Sequence, residues 1–247
     1  MAGGARTGAA RRFPGAPARP IEPRTGTMTS RVGNALFAAL RQKRPFVADH
    51  CYRVSIYAVR LASQYGLSAN AIETIQVGAL LHDIGKLLVP LRILNKPERL
   101  GEREWLQLKS HPDMGVELAE RWGLAHEVSE IILHHHERHD GFGYPDRLRG
   151  KEVSWPVRIV SVMDSFDALT SPREYRKARS PEAARALIAR EAGTRSCPWV
   201  VNGLLSLPLS LLQPPPQDMP MRYFADGVPW PSSIHATEAW APTIASP

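Results

Sequence analysis

Histidines and aspartates stand on the apolar stripes of several separate helical segments, and that pattern constrains the fold more than any other property of the chain. His50 shares a stripe with Val47, Val54 and Leu61; His82 follows Ile72, Ile75 and Ala79; His135 follows Val128 and Ile131; Asp164 extends Val157 and Val160 toward Asp167. A solvated polar side chain falls off the stripe of an amphipathic helix, whereas these point with the apolar residues toward a core. Burying one polar group without a partner costs about 2–7 kcal/mol. A lone core histidine is usually satisfied locally, but helices that each carry such a group are better explained by convergence on a shared polar centre.

The 3.6-residue periodicity predicts helices over residues 30–43, 47–65, 69–83, 102–109, 112–122, 124–137, 155–170, 181–191 and 198–207, and no segment alternates as a strand would. The expected fold class is all-α, in one domain over residues 29–212. Gly85 to Leu100, with Pro90 and Pro97, and Gly141 to Glu152, with Gly141, Gly143, Pro145 and Gly150, read as loops. Residues 1–28 and 213–247 lack apolar periodicity and read as disordered Arg/Pro-rich and Pro-rich tails.

The net charge of +7 is unevenly placed. Arg6, Arg11, Arg12, Arg19 and Arg24 against Glu22 leave much of the excess in the first tail, so the charge suits an anionic substrate without calling for a nucleic-acid polymer. The 2 cysteines, Cys51 and Cys197, form no CxxC and no metal-ligand spacing, which argues against a disulfide framework and for a reducing, cytoplasmic setting. No apolar run suits a signal peptide, and the most apolar stretch, Val200 to Leu212, is broken by Asn202, Gly203 and Pro208, so no membrane span is expected.

Imidazoles and carboxylates at separate places are the material of a metal site. Adjacent helical residues differ by about 100° around the axis, so His82-Asp83 and His135-His136 can each address two positions. An aspartate such as Asp83 can bridge two cations, one oxygen to each, and water bound to two cations ionises near neutral pH and can attack phosphorus in line. His111, before Pro112, is expected at a helix N-cap facing inward. Lys86, three residues after Asp83, can reach back to the same centre to stabilise phosphate charge or protonate a leaving oxygen.

The chain resembles the HD-GYP phosphodiesterases, a branch of the HD superfamily. The motifs that carry the resemblance are His50 with Arg53, HDIGK at 82–86, ILNKP at 93–97, His111-Pro112, HHERHDGFGYP at 135–145, RIVSVMDSFDALT at 158–170, and Arg173 with Tyr175-Arg176. It implies an HD-domain helical bundle with a GYP loop, and a metal-dependent enzyme that hydrolyses cyclic di-GMP to pGpG or GMP. By the same resemblance His50, His82, Asp83 and Asp164 would surround one metal and Asp83, His111, His135 and His136 the other. Both ions would be iron or manganese. Lys86 would face the phosphate, and Asp167, Arg173, Arg176 and Tyr144 of the loop would contact substrate.

Three positions depart from the family pattern. Some members hold a third metal through a glutamate one turn before the first histidine; Phe46 stands there, so two divalent ions are expected. His139 replaces a frequent tryptophan, and Ser196-Cys197-Pro198 replaces a frequent FDP, which leaves the C-terminal packing less firmly specified than the site. His134 is expected to complete its helix rather than bind metal. The second reading is a non-catalytic module that senses cyclic di-GMP or docks signalling proteins through the GYP loop.

Overall fold

A computed structural model describes residues 27–172 and 177–214. Arg173, Tyr175, Arg176, residues 1–26 and residues 215–247 lie outside the described residues, and with them most of the two expected tails.

The described residues are helical: α1 (Met28–Lys43), α2 (Pro45–Gln64), α3 (Ala69–Leu81), α4 (Leu91–Leu94), α5 (Glu102–Lys109), α6 (His111–Arg121), α7 (His126–His134), α8 (Trp155–Thr170), α9 (Pro181–Arg190) and α10 (Pro198–Ser206), with 3-10 turns at Ile84–Leu87, Gly150–Glu152 and Leu209–Leu212. No strand occurs among them, only one isolated bridge between Ala192 and Ser196. Helix starts follow local chemistry. Thr27, Ser68 and Ser180 cap α1, α3 and α9 by accepting a backbone N–H three residues on. Proline opens α2, α9 and α10, where its missing N–H costs nothing.

α2 is buried over most of its surface, from Ala48 to Ala62, and packs against α1, α3 and α8. Such a helix has apolar neighbours on more than one side. One core cluster joins α2 and α3 to α8, α9 and α10 around Tyr57, Phe166, Ile159 and Val201; a second joins them to α1, α6 and α7 around Phe37, Leu40, Leu81 and Ile132. Tyr57 and Phe166 meet edge to face at 5.4 Å. The helices with residues in both clusters are α2, α3 and α7, the three that lead to His50, His82 and His135.

Several boundaries differ from expectation. The helix expected to reach residue 83 ends at Leu81, and the one expected to reach 137 ends at His134. Pro112 is the second residue of α6, with Ser110 as N-cap, one position from the expected arrangement. The segment expected as a loop after Gly85 contains α4 and part of a 3-10 turn. The replacement at Ser196-Cys197-Pro198 does not loosen the C-terminal helix, because Cys197, Val200, Val201 and Leu204 are all buried in the first cluster. No described helix is long and apolar enough to cross a membrane.

Candidate active site

The His82-Asp83 and His135-His136 pairs both sit where a helix ends. His82 caps α3 in the helical region, and Asp83 turns away at φ −101°, ψ 13°. His135 caps α7 in the same way. A helix end leaves carbonyls without a partner, and the imidazoles use them: Nδ1 of His82 bonds Ala79 O, Nδ1 of His111 bonds Leu108 O and Nδ1 of His135 bonds Ile132 O, each at 2.8 Å. A carbonyl only accepts, so Nδ1 carries the proton. Each ring then turns its Nε2 toward the interior.

These Nε2 atoms, with that of His50, converge on Asp83. Its Oδ1 lies 3.1 Å from His111 Nε2 and 3.8 Å from His135 Nε2; its Oδ2 lies 3.6 Å from His82 Nε2 and 3.9 Å from His50 Nε2. His50 Nε2 is also 3.1 Å from Asp164 Oδ1. Asp83, His111, His135 and His136 form one group with metal-binding spacing, and His50, His82 and Asp164 another. The seven expected ligands are therefore brought together, with the two oxygens of Asp83 turned toward different histidines. His82 Nε2 and Asp83 Oδ1 are buried without a hydrogen-bond partner, and His111 Nε2 faces His135 Nε2 at 3.3 Å. Buried donor atoms left without a partner, in groups of imidazole and carboxylate with metal-binding spacing, fit divalent ions.

The electrostatics are graded across the centre. Burial opposes the charge on His50, but Asp164 and Asp167 outweigh it and raise its pKa to about 9. That side favours positive charge. Burial and the neighbouring imidazoles push His135 well down, and burial lowers His136 to about 3, so both are neutral and able to donate a lone pair. Burial alone would raise Asp83; Lys86, with Nζ 2.5 Å from Oδ2, and His82 hold it well below the usual carboxylate range.

Asp167 lies behind His50 in the structure. Expected as a substrate contact, it is fully buried, with Oδ2 bonded to His50 Nδ1 at 2.7 Å and its two oxygens held by Arg53 Nε and Nη2 at 2.7 and 3.0 Å. That bond leaves His50 Nε2 facing Asp83 and Asp164, an arrangement in which a carboxylate backs an imidazole that could bind metal.

A cavity of about 260 Å³ adjoins the histidines, lined in part by Trp105, Lys109, Phe142, Tyr144, Asp164 and Arg195. The Tyr144 ring stacks on His136 at 4.8 Å, and Lys109 Nζ lies over the Tyr144 ring, 4.4 Å from its centroid. Glu137, to which the sequence reading gave no role, holds this loop: its Oε1 accepts from the N–H groups of Asp146 and Arg147 at 2.7 and 2.8 Å. Gly143 passes so close that a Cβ would lie 2.4 Å from Arg138 N. A carboxylate beside a glycine-rich turn was the available signal for Glu137; nothing in the sequence pointed to Lys109. His134 pairs with Asp146 at 2.8 Å, away from the two ligand groups.

Residues 34–197 match the model of a family described as HD domain. Among curated relatives, the chain is 37% identical over 176 residues to the 3′3′-cGAMP-specific phosphodiesterase 2 of Vibrio cholerae serotype O1, covering 70% of this chain and 33% of that protein. It is 41% identical over 157 residues to the cyclic di-GMP phosphodiesterase response regulator RpfG of Xanthomonas campestris pv. campestris, covering 62% of this chain and 41% of that one. The chain thus spans well under half the length of these two relatives. A solved cyclic GMP-AMP specific phosphodiesterase of V. cholerae shares the fold, with a TM-score of 0.60 at 18% identity over 84% of this chain and 55% of that one.

Proposed function

Since the chain belongs to the HD-domain family, we propose that it is a metal-dependent phosphodiesterase that hydrolyses cyclic di-GMP to pGpG, GMP or both. The observation that carries this reading is the convergence of the Nε2 atoms of His50, His82, His111 and His135 on the two oxygens of Asp83, beside a cavity with cationic and aromatic walls. His50, His82, Asp83 and Asp164 would hold one divalent ion, and Asp83, His111, His135 and His136 a second, iron or manganese. When bound, such a pair polarises a phosphodiester and lowers the pKa of water.

The remaining work falls to the side chains. Burial opposes the charge on Lys86, but Asp83 raises its pKa, so it stays an ammonium. An acid of raised pKa gives up its proton poorly near neutrality. Of the two roles open to Lys86, stabilising charge that develops on phosphate is therefore favoured over protonating the leaving oxygen. Lys109 and Arg195 bring positive charge to the cavity, and the exposed faces of Trp105 and Phe142 suit a purine. Arg173 and Arg176 remain candidate substrate contacts. Two unpaired, buried cysteines agree with a cytoplasmic setting.

The Vibrio relative is named for 3′3′-cGAMP, which makes that cyclic dinucleotide the alternative substrate. Purified protein loaded with iron or manganese is incubated with each dinucleotide and the products are separated by chromatography. Release of pGpG or GMP from cyclic di-GMP supports the reading. Cleavage of 3′3′-cGAMP alone replaces the substrate, and binding of cyclic di-GMP without cleavage of either replaces the enzyme with a sensing module.

A further inference from the structure

Cys51 follows His50 on α2, fully buried, and its sulfur lies within 4.8 Å of ligand atoms of both His82 and Asp83. Sequence spacing gave this thiol no ligand role, because its neighbours in the group come from another helix end. A buried free cysteine ordinarily serves as a small apolar side chain, and Cys51 does belong to the second core cluster, with Tyr52, Leu80 and Leu81 among its members. Its polar neighbours are different in kind. His82, 1% exposed, has Nε2 without a hydrogen-bond partner, and Asp83, 2% exposed, turns its Oδ2 toward that nitrogen at 3.6 Å. Three donor types, sulfur, nitrogen and oxygen, thus meet at one place in the interior.

We propose that Cys51 is a sulfur ligand to the ion held by His82 and Asp83, a soft donor in an otherwise nitrogen and oxygen centre. The proposal rests on the metal part of the reading above and not on its phosphodiesterase part. Binding displaces the thiol proton to solvent, and the thiolate selects among divalent ions: it favours iron, cobalt or zinc over manganese or magnesium, which prefer oxygen. This chain's Cys51 therefore biases the choice between iron and manganese toward iron.

The test is cobalt(II) loading of the full chain followed by absorption spectroscopy, because a thiolate bound to cobalt gives a near-ultraviolet charge-transfer band that imidazole and carboxylate do not. The band is expected in the wild type and in Cys197→Ala, whose single remaining cysteine is Cys51, and is expected to be lost in Cys51→Ser and Cys51→Ala. Cobalt affinity in the Cys51 variants should fall on the order of tenfold or more, the scale seen when even a supporting partner of a ligand is removed, with a smaller loss for manganese. A wild type or Cys197→Ala protein that binds cobalt without the band, or a band that persists in Cys51→Ala, overturns the proposal. The Cys197→Ala arm decides the matter even where Cys51 variants fail to fold. A band together with no hydrolysis of any cyclic dinucleotide removes the phosphodiesterase reading and leaves Cys51 as a ligand.

Discussion

At the scale of single residues, the centre is organised by what each imidazole does with its far nitrogen. His82, His111 and His135 spend Nδ1 on a carbonyl, and His50 spends it on Asp167. Asp167→Asn should therefore leave the fold in place and lower metal affinity by about 10–100-fold, measured by competition with a chelator; unchanged affinity would mean that Asp167 does not orient His50. Asp83→Ala removes the group placed between both ligand sets, and metal analysis of that variant should find most of the bound metal gone. Lys86 and Arg173 separate chemistry from binding. Lys86→Ala should lower kcat, whereas Arg173→Ala should raise KM, because Lys86 sits on Asp83 and Arg173 lies nine residues beyond Asp164 in the chain. A raised KM with unchanged kcat in Lys86→Ala would contradict its role.

At the scale of elements, the site is built from helix ends brought close by glycine. A Cβ on Gly85 would lie 1.9 Å from the backbone oxygen of His111 and 2.7 Å from Gly115 N, so the turn after Asp83 touches the start of α6 backbone to backbone. Gly85→Ala should cost at least about 1–3 kcal/mol in denaturant unfolding, as overpacking does, and should move Asp83 away from His111; wild-type stability would show that the contact is not tight. The convergence of these side chains was legible in the sequence because an aspartate or histidine on an apolar stripe keeps its direction whether or not the helix continues. The helix ends were less legible. Periodicity carried the helices through His82-Asp83 and His135-His136, yet the imidazole bonds to carbonyls three residues back terminate them, and tertiary packing at Gly85 has no local signature. The place of Asp167 on α8 was clear, but its bond to His50, 117 residues away, was not, because it is set only by the packing of α2 on α8.

At the scale of the whole molecule, two apolar clusters share α2, α3 and α7, and the polar centre lies at the ends of these shared elements. Metal binding and folding should therefore be coupled. Saturating metal at about 100 times its Kd should add about 2.7 kcal/mol to stability, read as a rise in Tm that a chelator reverses. Phe46, 89% exposed and without an oxygen donor, occupies the position of the third-metal glutamate found in some HD-GYP members. Metal-replete protein should accordingly hold about two ions per chain, counted in anomalous scattering maps; a third would show an unrecognised ligand. The most direct test of the account is product chromatography of metal-replete wild type with cyclic di-GMP, run beside Asp83→Ala. The account predicts pGpG or GMP from the wild type and intact substrate from the variant. Intact cyclic di-GMP with metal-replete wild type, or equal turnover by both proteins, would contradict it.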